Sequence, residues 1–507
     1  MQSLSWYYRR LRAMSMDEVL WRVKSSLGTT RDRYRLSSLM KRAAANAAYA
    51  NEKLAQSRPE ARITFPESLA HASTHPKFIA DNLPERADRI LAGQISLLGN
   101  IVVDCGPRID WNYDYQNKIA SPSGYSPKID YRDVREAGDA KWVWEPSRHQ
   151  HFVVLARQYA LTGEREYLHT IVDHWTGWLD QCPFQVGMQW RSPLELGIRL
   201  INWSLTWELV DGARNFDSAF RARVLQAIDL HLYDITAKYS RGSSANNHLV
   251  GEAAGVLVAA AVFPAFPYTT ERFETARSIL EREIELQILP DGSNAEFTTG
   301  YHVFVLQFFT VAGLVARRAG RDFGAGYWER LKKGYAYLAA LHEAGGPMPM
   351  FNDADDGFVV DLDHHPRDPK PWLTVGAVLF DSPAWLPEKI HGEAAYWLLG
   401  AQQTAAVLNK KPAHESRQLK SRAFSDAGHY LLQTGKTDED NISVVFDCGP
   451  LGFGSIAAHG HADALSFTLR ANGRELLTDP GTYDYFTHRA WRDHLRTTAA
   501  HNTVVVD

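Results

Sequence analysis

Three cysteines in a chain of 507 residues, Cys105, Cys182 and Cys448, are too few, too scattered and odd in number for a disulfide framework or a cysteine zinc knuckle. They read as buried thiols. Also lacking is any block of Lys and Arg: 55 basic residues face 59 acidic ones, for a formal net charge of −4. That spread excludes general nucleic-acid binding, and an anionic partner would need a locally basic cleft. The most apolar stretch, residues 255–263, is too short to cross a bilayer and continues a helical pattern, so no membrane span is expected. Residues 1–27 mix basic, aromatic and polar side chains without an uninterrupted apolar core, which is not a secretory signal. No fixed-length repeat is visible, and this argues against a regular solenoid.

What is present is ample material for folding. Apolar residues make up 45% of the chain, and the length predicts about two to four domains. The 15 Trp and 21 Tyr point two ways, since aromatic rings stack on sugars and also fill large cores.

Residues 1–60 read as basic amphipathic helices, followed by a looser part with turn clusters at Gly106-Pro107 and across 121–127. From about 146 to 405 apolar residues recur at helical spacing, over 148–161, 166–180, 194–211, 217–239, 248–263, 270–288, 301–318 and 327–343. Short connections force successive helices antiparallel, into a bundle, a solenoid or an α/α toroid. After about 420 the text turns strand-like, at 442–448, 464–470 and 503–507, with Asn472-Gly473 as a hairpin turn. Strands that follow helices without alternating with them make a separate β domain.

Four clusters carry chemistry. Asn246-Asn247-His248 opens a helix, where free N–H groups and the dipole favour a carboxylate; the bland alternative is simple capping. Asp291–His302 lies on the next hairpin and places Tyr301 near the same rim. A tyrosine serves as acid or base when cations lower its pKa, although singly it is more often a packed aromatic. His459-Gly460-His461-Ala462-Asp463, with Asp479 and His501, has the inventory of a His/His/carboxylate zinc site; the alternative is surface histidines without metal. Residues 350–357 form an acidic turn that departs from the EF-hand calcium loop and reads as cleft lining.

Taken together these residues resemble heparinase II/III-type polysaccharide lyases. The likeness runs through Tyr7-Tyr8-Arg9-Arg10-Leu11, Trp144–His149, Gln189–Glu195, Asn246–His248 and Tyr301-His302. It is most specific over 459–485, 496–500 and 501–507. The resemblance implies an incomplete (α/α) toroid followed by an antiparallel β-sandwich, with the cleft between them. Boundaries are expected at 1–100 for an N-terminal helical segment, 101–410 for the toroid and 411–507 for a partial sandwich. Family members carry further strands, so a chain ending at Asp507 is expected to be shortened, and unstable or inactive alone. A periplasmic or cell-envelope location is implied too, with the cytoplasm as the alternative because no signal peptide is visible.

The activity implied is β-elimination on a uronic-acid-containing polysaccharide. That chemistry needs a neutraliser for the uronate, a base for its C5 proton and an acid for the leaving O4. By resemblance Tyr301 is the acid/base, His248 a second base or its partner, Asn247 the carboxylate's hydrogen-bond donor, and His459 completes the site from the β domain. Asn246, Arg148, Trp190 and Arg191 are candidates for holding sugar and charge. Glu252 either tunes His248 or is a helix-surface acid. His461, Asp479 and His501 are expected to hold a structural zinc. Three rivals remain. A toroidal glycoside hydrolase needs a carboxylate pair, with Glu195, Glu252, Glu296 and Asp353 available. A non-catalytic acidic-polysaccharide-binding protein would keep the fold with a dead site. A zinc hydrolase would activate water at His461/Asp479/His501.

Overall fold

A computed structural model describes residue 14 and residues 16–56, 63–66, 82–99, 101–343, 348–354, 356–363, 368–410, 419–435 and 440–506. The Tyr7–Leu11 motif and Asp507 lie outside the described residues.

Two helices, α1 (Met16–Tyr34) and α2 (Leu36–Gln56), lead into α3 (Leu83–Leu91) and a small hairpin of β1 (Gln94–Leu97) with β2 (Ile101–Asp104). The helical array follows, with its shorter turns left unnumbered: α4 (Gln150–Thr162), α5 (Arg165–Gln181), α6 (Pro193–Leu209), α7 (Ser218–Lys238), α8 (Asn247–Val262), α9 (Thr269–Gln287), α10 (Thr299–Arg318), α11 (Ala325–Glu343), α12 (Lys370–Leu379), α13 (Glu393–Leu399) and α14 (Ala401–Leu408). The eight segments read from apolar spacing coincide with α4 to α11 within a few residues.

Two kinds of helix alternate. α6, α8 and α10 are apolar and buried almost all round, whereas α7 and α9 bury one stripe and expose the other. α4, α6, α8 and α10 pack in succession as an inner layer, and α5, α7, α9 and α11 lie outside them. This is the two-layered, incomplete toroid. It also accounts for Thr299–Arg318, the one described helix long and apolar enough to cross a membrane, because it is an inner-layer core helix. Glycines set the inner spacing. A Cβ on Gly197 of α6 would stand 2.5 Å from the Gly251 carbonyl oxygen of α8, and one on Gly255 would stand 2.5 Å from Gly197 Cα. The two backbones therefore touch, which fixes where α8 begins. Residues 357–362 lie against the inner helices: Asn202 donates to the Val359 carbonyl at 2.9 Å, and Val359 N–H donates to Gln307 at 2.8 Å.

The tryptophans belong mainly to this interior. Trp111, Trp175, Trp178, Trp203 and Trp397 are fully buried, so much of the Trp abundance is core.

The C-terminal region is an antiparallel meander, β3 (Arg422–Phe424), β4 (His429–Thr434), β5 (Ile442–Asp447), β6 (Ser466–Ala471) and β7 (Arg474–Leu477), in that spatial order. The predicted turn joins β6 to β7, with Asn472 and Gly473 both at positive φ. The strand expected at 503–507 is not formed over Thr503–Val506, and Val504, Val505 and Val506 are exposed. One face of the sheet lies on the helices, where Tyr337 of α11 hydrogen-bonds His429 Nδ1 at 2.7 Å and Arg422 pairs with Glu343 at 2.7 Å.

Candidate active site

Each side chain at the junction is set by a local device. Asn246 caps α8 by accepting the His248 N–H. Thr298 caps α10 by accepting from Tyr301 N–H at 3.1 Å, which fixes the phenol at the mouth of that helix. Asn294 accepts from Glu296 N–H at 2.6 Å and turns that carboxylate inward. From the sheet side, the β5–β6 connection delivers His459 with a left-handed φ of 68°. This conformation is uncommon for a residue with a Cβ. It is held by Asp353 N–H donating to the His459 carbonyl at 3.1 Å, and the next residue, Gly460, allows no side chain against Leu451.

The result is a compact cluster. His459 stands between two buried carboxylates, its Nδ1 3.2 Å from Asp353 and its Nε2 3.3 Å from Glu296. Burial would lower the imidazole's pKa, but those two carboxylates raise it to about 9. Asp353 takes a two-pronged ion pair from Arg492 at 2.9 and 2.8 Å and faces His461 Nε2 at 3.0 Å. Burial opposes its ionisation, yet His459, His461 and Arg492 hold its carboxyl well below the usual range. The Tyr301 ring lies 4.5 Å from His459, and its hydroxyl is 2.8 Å from the Tyr485 hydroxyl. Arg492 and Lys141 lie 4.3 and 4.5 Å from the Tyr485 ring. Two phenols thus sit among three cationic groups.

The structure brings Asn246, Asn247, Tyr301 and His459 together, with half-buried His248 in the first turn of α8. Asn247 faces a different partner from the one expected: its side-chain amide donates to both Glu296 oxygens, at 3.1 and 2.8 Å, and its N–H donates at 3.1 Å. Asn246 also donates to Glu296, at 3.0 Å. The amides neutralise a carboxylate of the protein itself.

Other candidates stand elsewhere, each for a physical reason. Arg148 is buried with its charge paired to Glu195 at 2.7 Å and Glu145 at 2.6 Å, so it is not offered to a substrate. Trp190 is 4% exposed, donates to the Cys182 carbonyl and packs on His231, so it is core. Arg191 donates to the Ile129 carbonyl and lies over Tyr131. Glu252 is neither a surface acid nor a tuner of His248. It is fully buried and accepts from Ser240 N–H and Oγ, both at 2.7 Å, and burial raises its pKa to about 8.

Sequence reasoning missed Arg492 and Tyr485 as site members; it gave Glu296 only to a hydrolase, and Asp353 to a hydrolase or to the lining of the cleft. Asn-x-Glu at 294–296 and the Asp353 of the acidic turn were the available signals. That turn is no calcium loop, because Asp353 is spent on Arg492 and two imidazoles.

Next to this cluster, His461 Nδ1 and His501 Nε2 face each other at 3.4 Å. His461 Nε2 meets Asp353, and His501 Nδ1 donates to the Thr497 carbonyl at 2.8 Å. With their N–H groups spent outward, the two inner nitrogens present lone pairs to one another, which calls for a cation between them. Among the described residues, ligand atoms of His461, Asp463 and His501 lie within 4.8 Å of one another, and Asp463 Oδ2 is buried with no hydrogen-bond partner. Asp479, expected as the carboxylate ligand, stands one step out, 3.8 Å from His501 Nε2. Its other oxygen accepts from Gly481 N–H. The donor set fits zinc.

Comparison with known proteins settles the lineage. Residues 45–363 match the heparinase II/III N-terminus model, and residues 416–507 match the heparinase II/III-like C-terminal model. The chain belongs to the heparinase II/III family. A heparin-sulfate lyase of Bacteroides stercoris is 22% identical over 426 residues, covering 77% of this chain and 58% of the relative. One of Pedobacter heparinus is 24% identical over 374 residues, covering 72% and 52%. The chain thus spans between half and three-fifths of the length of these curated relatives. Among solved structures, a heparinase III aligns with a TM-score of 0.63 at 19% identity, covering 94% of this chain and 69% of the other. The heparan sulfate lyase HepC of Pedobacter heparinus aligns at 0.51 and 22%, covering 91% and 65%. These likenesses establish a shared heparinase fold.

Within that fold the family's two halves meet where the cluster sits. Tyr301 comes from the toroid and His459 from the sheet, and only their docking forms the pair.

Proposed function

We propose that this chain is a polysaccharide lyase that cleaves a uronic-acid-containing polysaccharide by β-elimination. One observation carries the reading: the Tyr301 phenol lies against an imidazole whose two nitrogens both face buried carboxylates. Such a ring is held as imidazolium, and a cation beside a phenol favours the phenolate. The named activity of the heparin-sulfate lyase relatives supports the same class.

In the proposed reaction the Tyr301 oxygen takes the C5 proton of the uronate. The electrons of that C–H bond form the C4=C5 double bond, and the C4–O4 bond breaks with its pair going to O4. The proton on Tyr301 then passes to O4, so the phenolate is regenerated and no water is consumed. His459, Arg492 and Lys141 supply the positive field that the carboxylate and its enolate-like state require. Tyr485 holds the Tyr301 oxygen in place. His248, on the same rim, is the second base for a substrate presenting its C5 proton from the other side. Zinc held by His461, Asp463 and His501, with Asp479 beside them, would brace the loop that positions His459.

A hydrolase needs a neutral carboxylic acid facing the scissile bond. Glu296 and Asp353 are each saturated with donors, and Glu195 is paired with Arg148. Glu252, whose pKa burial raises to about 8, is fully buried and faces no cleft. The test is a screen of uronate-containing polysaccharides. A lyase gives an unsaturated, ultraviolet-absorbing product, whereas reducing ends without that absorbance would overturn the reading. Binding without turnover across the panel would mark a carbohydrate-binding protein.

A further inference from the structure

α1 sits on the protein the wrong way round for an ordinary amphipathic helix. Its outward side chains Met16, Leu20, Val23, Leu27 and Tyr34 are all exposed, from 52% at Val23 to 87% at Tyr34. At about 100° per residue these positions fall in one narrow stripe. The opposite side holds Glu18 and Asp32, both buried and both bonded to the toroid. Glu18 accepts from Ser243 N–H at 3.1 Å and Ser243 Oγ at 2.7 Å, and Asp32 accepts from the Tyr233 hydroxyl at 2.9 Å. The helix is therefore anchored through its polar face, and its apolar face is turned to solvent.

The charges around the stripe say what would cover it. Lys24 and Arg31 are exposed along one flank and Arg33 along the other, with exposed Arg35 in the turn that follows. The first 35 residues hold eight Lys and Arg against three Asp and Glu, in a chain of net charge −4, and two of those three acids face inward. The sequence just before α1 repeats the chemistry, with Trp6, Tyr7 and Tyr8 beside Arg9, Arg10 and Arg12. An apolar stripe with aromatic and basic borders suits the headgroup boundary of an anionic bilayer. A second copy fits poorly, because pairing two α1 stripes would bring their basic flanks together.

We propose that α1 docks this protein on an anionic phospholipid surface, with the Met16–Leu20–Val23–Leu27–Tyr34 stripe facing the lipid. Because Glu18 is bonded to Ser243, three residues before Asn246, docking sets the mouth of the cleft beside that surface. The inference does not depend on the lyase reading. It is tested by co-sedimenting the full chain with vesicles of equal phosphatidylglycerol and phosphatidylcholine, and with phosphatidylcholine alone. The expected result is binding to the anionic vesicles, weakened by salt. Leu20→Ser/Leu27→Ser and Lys24→Glu/Arg31→Glu should each lower partitioning about tenfold or more, with the melting temperature unchanged because these side chains are exposed. Absence of binding to the anionic vesicles would overturn the proposal, and so would equal binding by both double variants. A dimer that Leu20→Ser/Leu27→Ser dissociates, without vesicle binding, would assign the stripe to a second copy and likewise overturn it.

Discussion

The rings of Tyr301 and His459 lie 4.5 Å apart, inclined at 44°, one carried by a helix mouth and the other by a left-handed residue between two strands. Neither chain segment can form this pair alone, so it makes a sensitive test of both the fold and the chemistry.

Replacing Tyr301 by Phe keeps the packing and removes the proton carrier. Expected is a fall in kcat of about a hundredfold to ten-thousandfold with KM nearly unchanged, measured on whichever polysaccharide the ultraviolet screen identifies. Tyr485→Phe, which only loosens the Tyr301 oxygen, should lose less, about tenfold. An equal loss in both variants would mean that the roles have been assigned to the wrong phenols.

Asp353→Asn leaves the half-buried cations Arg492 and His459 short of a partner. Breaking a buried pair in this way costs about 3–5 kcal/mol, read as a lower midpoint in denaturant. The pH dependence has two arms. Asp353 ionises more easily folded than unfolded, so its contribution is present above an unfolded pKa of about 4 and is lost as pH falls below that. His459, raised to about 9, contributes fully below about 6.5 and loses that contribution as pH rises toward 9. Asp353→Asn should flatten both arms of the melting-temperature profile.

Glu252 is the opposite case. Its carboxyl holds a proton in the folded protein up to about pH 8, whereas the unfolded chain releases it near 4.5. Stability should therefore decline from about pH 4.5 to 8 through this group, by a few kcal/mol at most. Glu252→Gln removes the titration, and its melting temperature should lose this slope. A variant that declines as steeply as the parent would show that another group is responsible.

Gly197 and Gly255 let α6 and α8 touch. Gly255→Ala should cost about 1–3 kcal/mol or more through overpacking. It should also impair turnover by displacing the Asn246–His248 end of α8. Stability lost with activity intact would show that α8 yields elsewhere along its length.

Zinc is checked by elemental analysis of the purified chain. One equivalent is expected, with chelation lowering the melting temperature and His501→Ala abolishing retention. A metal-free protein with an unchanged melting temperature would remove zinc from the account.

The helices could be read from the sequence because each inner helix is apolar by composition and each outer one by period, and both signals are local. The Asn472-Gly473 turn is local for the same reason. Asn246, Asn247, Tyr301 and His459 stood out because they fall in short motifs that resemble those of the heparinase II/III family. Trp190, Arg148 and Glu252 misled because nothing in a sequence tells a buried Trp from a stacking platform, or a paired charge from a free one. Partners far along the chain decide that, as Glu195 does for Arg148.

By itself, then, the amino-acid order determined where the helices α4 to α11 lie, that helices precede sheet, and where residue types able to act as acid, base or metal ligand stand. Those properties arise from neighbours a few positions apart. Only tertiary structure decided that Glu296 and Asp353 enclose His459, that Asn247 faces the protein's own carboxylate, and that α1 wears its apolar side outward. Charge state and exposure depend on groups brought within a few ångströms from distant segments, and no local pattern records that distance.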